Sequence, residues 1–186
     1  MVVGIDVYHD ASRKVGSIAG VVCSMNDACT KYFSLSVEQK QGQEIMDALR
    51  IAFIEGLIKY WEANQRWPNN IVVFRDGVGD GQLDVTEKHE AEQFQRVFLN
   101  GNGGNNGATE ASKMQSKLSE MIPDNYRPGF AFVVVQKRIN TRVVSVVRGG
   151  RGFENPPPGT LVDHTITRYR YKDFFLVPQA VNQGKF

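Results

Sequence analysis

Cysteine is scarce in this chain: Cys23 and Cys29 are the only two among 186 residues. They flank "SMNDA", a polar turn between two β-rich runs, so they could face each other across neighbouring strands. Their spacing offers no second cysteine pair for zinc, and with so few thiols both are expected to be reduced and structural. Long apolar runs are also lacking, and none approaches the roughly 20 residues of a membrane-spanning helix. The opening "MVVGIDVYHD" reaches an aspartate at position 6 and reads as a strand, not as a signal peptide. A strand that starts at Met1, and a carboxyl end "QAVNQGKF" with no terminating signal, lead us to expect a piece of a longer protein.

Charge of one sign is missing from one stretch and scarce in another. No acid occurs from Asn125 to Phe153, where Arg127, Lys137, Arg138, Arg142, Arg148 and Arg151 stand. From Asp76 to Glu92 the sign reverses, with six acids, including Asp80 and Asp84, against Lys88. The net charge is only +2, so the pattern and not the total carries information. Segregated charge suits a protein that holds a polyanion on one surface; two separately solvated faces are the plainer alternative. Hydrophobic residues at 41% and charged residues at 23% are ordinary for one globular domain of this length.

What is present reads as a mixed α/β order. "MVVGIDVY", "SIAGVVCSM" and "TKYFSLSV" are three β-branched runs joined by short turns, which makes an antiparallel meander. From Gln43 to Asn64 the apolar residues Ile45, Met46, Leu49, Ala52, Phe53, Leu57 and Tyr60 fall at helical spacing. "WPNN" ends that helix and "IVVF" follows as a strand. A strand reached through a long helix is expected parallel to its neighbour. A second helix is expected over Thr86 to Leu99, and "NGNGGNNG" (100–107) reads as a flexible surface insertion. "ATEASKMQSKLSEMI" reads as a short helix, and "GFAFVVVQKR" as a strongly buried strand that "TRVVSVV" pairs with or continues. "RGGRGFENPPPGT" reads as loop, and "LVDHTIT" and "DFFLV" as late, short strands. Trp61 is expected in the core and Trp67 as a surface plug beside Pro68.

Two of these strands deliver an acid at their carboxyl ends: Asp6 from the first and Asp76 from the fourth. If those strands lie side by side, the carboxylates meet. Paired carboxylates repel and raise each other's pKa, and a divalent cation removes the conflict. Hard oxygen donors suit Mg2+ or Mn2+, which in pairs support phosphodiester cleavage. Aspartate followed by glycine is also a common turn, and the glycines at 77, 79 and 81 allow a sharp turn after Asp76 that Asp80 would support.

The blocks "VVGIDVYHD", "GQEIMDALR", "VVFRDGVGDGQL", "VVVQKRINTR", "NPPPGTLVDHTIT" and "DFFLVPQAVNQG" resemble, in order, the PIWI domain of Argonaute proteins, closest to the Piwi branch. They cover nearly the whole chain apart from the Asn/Gly insertion and the helix after it. The resemblance implies an RNase H-like fold for residues 1–186. It also implies an RNA-guided endoribonuclease that holds a small guide RNA (piRNA) on target RNA and cleaves the target with Mg2+ or Mn2+. Asp6 and Asp76 match the family's two aspartates, which bind the metal, and Glu44 matches its glutamate. Read without the family, Glu44 is an acid in the first turn of a helix, complementing the helix dipole.

The family's fourth catalytic residue, a histidine, follows the "QG" block, and this chain stops at Phe186. His9, His89 and His164 do not match it, so the fragment alone is expected to be weakly active or inactive. Lys137, Arg138, Thr141 and Arg142 match the positions where family members contact the guide backbone, and Gln183 lies in the same reach. The expected partners are guide and target RNA and the remaining domains of the parent protein, with no membrane. The expected compartment is cytoplasmic granules, with the nucleus as the other choice. A module that binds guide RNA and silences without cutting is the first alternative, and a guide-independent RNase H-like nuclease the second.

Overall fold

The structure is a computed structural model that describes residues 1–8, 17–38, 45–99, 110–137, 139–147 and 149–180. The insertion at 100–107 lies outside the described residues. The chain divides into two compact units, Met1–Lys137 and Arg138–Phe186.

The first unit is built on a five-stranded sheet of order β3-β2-β1-β4-β5. Strands β1 (Val2–Tyr8), β2 (Ile18–Ser24) and β3 (Tyr32–Glu38) form the antiparallel meander read from the sequence. The turn between β2 and β3 is set by Asn26, whose Oδ1 accepts from the amides of Thr30 (2.9 Å) and Lys31 (3.1 Å). Helix α1 (Ile45–Asn64) then crosses over and returns the chain as β4 (Asn70–Asp76), parallel to β1. Gln65 ends α1 in the left-handed region (φ 54°), and its amide donates to the Trp61 carbonyl at 2.7 Å. Strand β5 (Gly129–Val135) lies parallel to β4.

Alternation sorts the strand residues by face. Val3, Ile5, Ala19, Val21, Cys23, Ile71 and Val73 are buried in one core with Leu49, Phe53, Ile54 and Leu57 of α1. That core also takes in α3 (Glu92–Leu99) and α4 (Glu110–Met121): Phe53 meets the rings of Phe94 and Phe98 edge-on at 4.9 and 5.7 Å, and Leu118 is fully buried. Gly56 lets α1 pack tightly on the sheet, since a Cβ there would stand 2.6 Å from Cys23 Sγ.

Several expectations are corrected. The two cysteines do not face each other: Cys23 is buried opposite Phe33 in the register, while Cys29 sits in the turn at φ 51°, and both are free thiols. The second helix starts earlier than Thr86. A 3₁₀ turn (Asp80–Gln82) leads into α2 (Leu83–Thr86), then a π-helical turn (Glu87–Ala91), then α3. Strand β5 is half-buried because it lies at the sheet edge, and it ends at Val135 instead of running through Arg138. The stretch 141–147 does not join it. Only β6 (Ser145–Val146) is extended there, and it pairs with β7 (Phe153–Glu154) inside the segment read as loop. Trp61 is half-buried, not core, and stacks on Trp67 at 6.1 Å, which in turn packs against Tyr126 at 6.0 Å.

Within the second unit, β8 (Leu161–Val162) pairs antiparallel with β9 (Phe175–Leu176). The late strands are thus present but shorter than read. Arg168 Nε donates to Asp173 Oδ2 at 2.6 Å between them.

Candidate functional site

The parallel register of β1 and β4 sets Asp6 directly opposite Asp76, at the carboxyl ends of both strands. Ile5 and Arg75 point into the core, so by alternation the two aspartates share the other face. Asp6 is exposed and the Asp76 side chain is 32% exposed. The chain leaves the sheet at Gly77 with φ 80°, a conformation that any side chain would strain, and a Cβ there would lie 3.5 Å from Asp6 Oδ1. The turn therefore wraps the rim of the acid pair.

Asp76 is held on both oxygens. Its Oδ1 accepts from the Gly77 amide at 2.9 Å, and its Oδ2 accepts from Lys137 Nζ. The Lys137 ammonium, helped by the Gly77 amide and opposed by partial desolvation, holds the Asp76 carboxyl below its ordinary range. The same pairing raises Lys137, and Asp6 adds to that rise. A positive charge beside these carboxylates is thus stabilised by both of them. Gln136, the neighbour of Lys137, donates Nε2 to the Val78 carbonyl and to Asp80 Oδ1, each at 3.1 Å. Asp80 supports the turn, as read from the sequence.

Two buried charges stand directly behind the site. Arg75 is 6% exposed and Glu90, in the π-helical turn, 9%. Arg75 Nε donates to Glu90 Oε2 at 2.7 Å and Nη2 to Oε1 at 3.2 Å, while Nη1 donates to the Asp76 carbonyl. The sequence reading missed both residues. In the structure Arg75 has the same strand parity as Ile71 and Val73, and Glu90 falls on the stripe Leu83, Thr86, Phe94 and Val97.

Glu44 and Arg138 lie outside the described residues, as do His9 and Gln183. Thr141 and Arg142 are exposed in the second unit. His89 is exposed in the π-helical turn, and His164 is exposed beside Asp163, whose Oδ1 is 2.7 Å from Nδ1. Among the described residues no group of three or more His, Cys, Asp or Glu side chains could hold a metal. The donors brought together are the two aspartates, both hard oxygen ligands suited to Mg2+ or Mn2+.

The family described as "Piwi domain" matches residues 1–186. This chain belongs to the Piwi domain family. It is 39% identical over 184 residues to the Piwi-like protein Ago3 of Bombyx mori, covering 99% of this chain and 17% of that protein. The crystal structure of Drosophila Piwi superposes on all of this chain with a TM-score of 0.68 at 25% identity, over 22% of its own length. The crystal structure of Kluyveromyces polysporus Argonaute with a guide RNA matches 89% of this chain and 19% of its own, with a TM-score of 0.59 at 25% identity. The RNase H-like mixed sheet expected for a PIWI domain is the one observed, and the likeness to the Piwi branch agrees with these relatives. The chain spans less than a fifth of the length of the curated relatives it matches.

Proposed function

We propose that this Piwi domain is the catalytic part of an RNA-guided endoribonuclease that holds a small guide RNA paired to target RNA and cleaves the target strand. The observation that carries this reading is the in-register pairing of Asp6 with Asp76 at the carboxyl ends of adjacent parallel strands. Glu44 completes the acid set in this reading. Asp6 and Asp76 would hold Mg2+ or Mn2+, which when bound supplies Lewis-acid stabilisation of the phosphodiester and a more acidic water. Lys137 holds the Asp76 carboxyl below its ordinary range, which favours the ionised form that binds a cation. Its side chain is 70% exposed and can neutralise an RNA phosphate that arrives beside the acids. Thr141, Arg142 and Arg138 would contact the guide backbone, positioning the strand without reading its sequence. The Argonaute relative solved with a guide RNA supports this assignment of the ligand class.

The test is target cleavage by the full-length protein loaded with a guide in Mg2+. Asp6→Asn and Asp76→Asn are each expected to abolish cleavage at the guided position while guide retention persists. Cleavage that survives Asp76→Asn would overturn the reading. A loaded wild-type protein that retains both strands and never cuts would favour the silencing module that acts without cleavage.

A further inference from the structure

We infer that the buried Arg75–Glu90 pair is a positioning device for Asp76, acting through the Asp76–Gly77 peptide plane; this rests on the reading of Asp6 and Asp76 as metal ligands. The connection is short, made of hydrogen bonds on either side of one planar peptide unit. Glu90 grips Nε and Nη2 of Arg75 with both carboxylate oxygens. The remaining Nη1 donates to the carbonyl of Asp76. That carbonyl and the Gly77 amide belong to one planar unit. The Gly77 amide donates to Asp76 Oδ1 at 2.9 Å. Fixing the carbonyl therefore fixes the direction of the amide, and the amide fixes the rotation of the carboxylate. Oδ2 is left turned toward the cationic partner, the role Lys137 Nζ fills here.

Physical cost argues that the pair is present for more than stability. A buried ion pair is commonly no more stabilising than apolar side chains of the same size, and the surrounding positions Ile71, Val73, Phe94 and Val97 are apolar. Arginine is the side chain that can serve a carboxylate in a bidentate fork and a carbonyl at once. Glu90 reaches it from a π-helical turn, a distortion that recurs at functional sites in helices. Asp76 is the last residue of β4, set between Asp6 and Val135, and the chain leaves the sheet at Gly77 with positive φ.

The experiment measures Mn2+ binding to the full chain by electron paramagnetic resonance, beside thermal unfolding, for wild type, Asp76→Asn, Arg75→Lys and the Arg75→Met/Glu90→Leu double variant. Asp76→Asn defines binding elsewhere on the chain. The double variant is expected to keep the melting temperature of wild type or exceed it, yet to bind Mn2+ at the Asp76-dependent site about 10- to 100-fold more weakly, the usual effect of removing an outer-shell partner. Arg75→Lys keeps one bond to Glu90 and gives up the carbonyl, so its affinity should also fall while its melting temperature stays near wild type; it decides the matter if the double variant does not fold. Wild-type affinity in either folded variant overturns the proposal, as does an affinity loss that merely tracks lost stability. If wild type and Asp76→Asn bind Mn2+ alike, the metal-ligand reading itself fails and takes the proposal with it.

Discussion

On one face of the five-stranded sheet Val3, Ile5, Ile71 and Val73 are buried in the core shared with α1, α3 and α4; on the other, between them in sequence, stand Gly4, Asp6, Phe74 and Asp76, partly or fully open. The two faces are one residue apart along each strand and differ in what they do. The covered face gains its free energy from apolar burial. The open face gains little from burial and, in the proposed reading, would carry the chemistry. Arg75 joins them: its side chain is buried with the core face and its donor reaches the backbone of the site residue. A period of two is therefore enough to separate a buried face from an open one within a single strand, and in the proposed reading Arg75 couples them.

The comparison breaks most visibly if the faces are not independent. Phe53→Ala removes a fully buried ring that packs on two others. It should lower the unfolding free energy by about 3–5 kcal/mol in urea denaturation. Asp76→Asn on the open face should cost about 1 kcal/mol or less, as for an exposed ion pair. Equal losses would show that the open face is part of the core.

Next in size is the contact between α1 and β2. Gly56→Ala forces a methyl against Cys23 Sγ, 2.6 Å from the new carbon. Overpacking costs about 1–3 kcal/mol and helix propensity returns up to about 1 kcal/mol, so calorimetry should register a modest net loss. Adding Cys23→Ala should recover it, and additive effects in that double-mutant cycle would contradict the close packing.

A pH titration of stability sharpens the same point. Burial pushes the Cys23 thiol from its ordinary 9.0 up to about 12 and raises the hydroxyls of Tyr60 and Tyr126. Above the ordinary values the unfolded chain releases these protons while the native one keeps them, so the unfolded state binds fewer protons. Stability should fall as pH rises from 9.0 toward about 12, and Cys23→Ala should remove part of that slope. Well below pH 9.0 the thiol is protonated in both states and contributes no slope. The smallest effect is expected at Arg66→Ala, which removes a 2.6 Å pair with Asp27 whose side chains are 51% and 76% exposed. Solvent screens so exposed a pair, so the loss should be close to the limit of detection and smaller still at high salt.

The sequence made the sheet and the acid pair legible because both follow from strong local signals. β-branched runs end in Asp6 and Asp76, and a helix with unbroken apolar spacing between them dictates a parallel return. The Arg75–Glu90 pair was hidden by composition. "IVVF" is apolar at every position, so the alternation that buries Arg75 and opens Phe74 does not show. The π-helical turn is silent for a related reason: Leu83, Thr86, Glu90, Phe94 and Val97 still step by three or four, and the extra residue per turn leaves the stripe intact. The pairing of β6 with β7 was unreadable because two-residue strands carry no period, and their glycine turn, with Gly149, Gly150 and Gly152 at positive φ, has the composition of any loop.

The central claim is that Asp6 and Asp76 bind one cation together. An anomalous difference map from crystals of the protein soaked in Mn2+ tests it without reliance on guide, target or turnover. The account predicts a manganese peak bonded to carboxylate oxygens of both residues, with the Lys137 ammonium moved off Asp76. A map with no peak between them, or manganese bound to one carboxylate while Lys137 keeps the other, would contradict it.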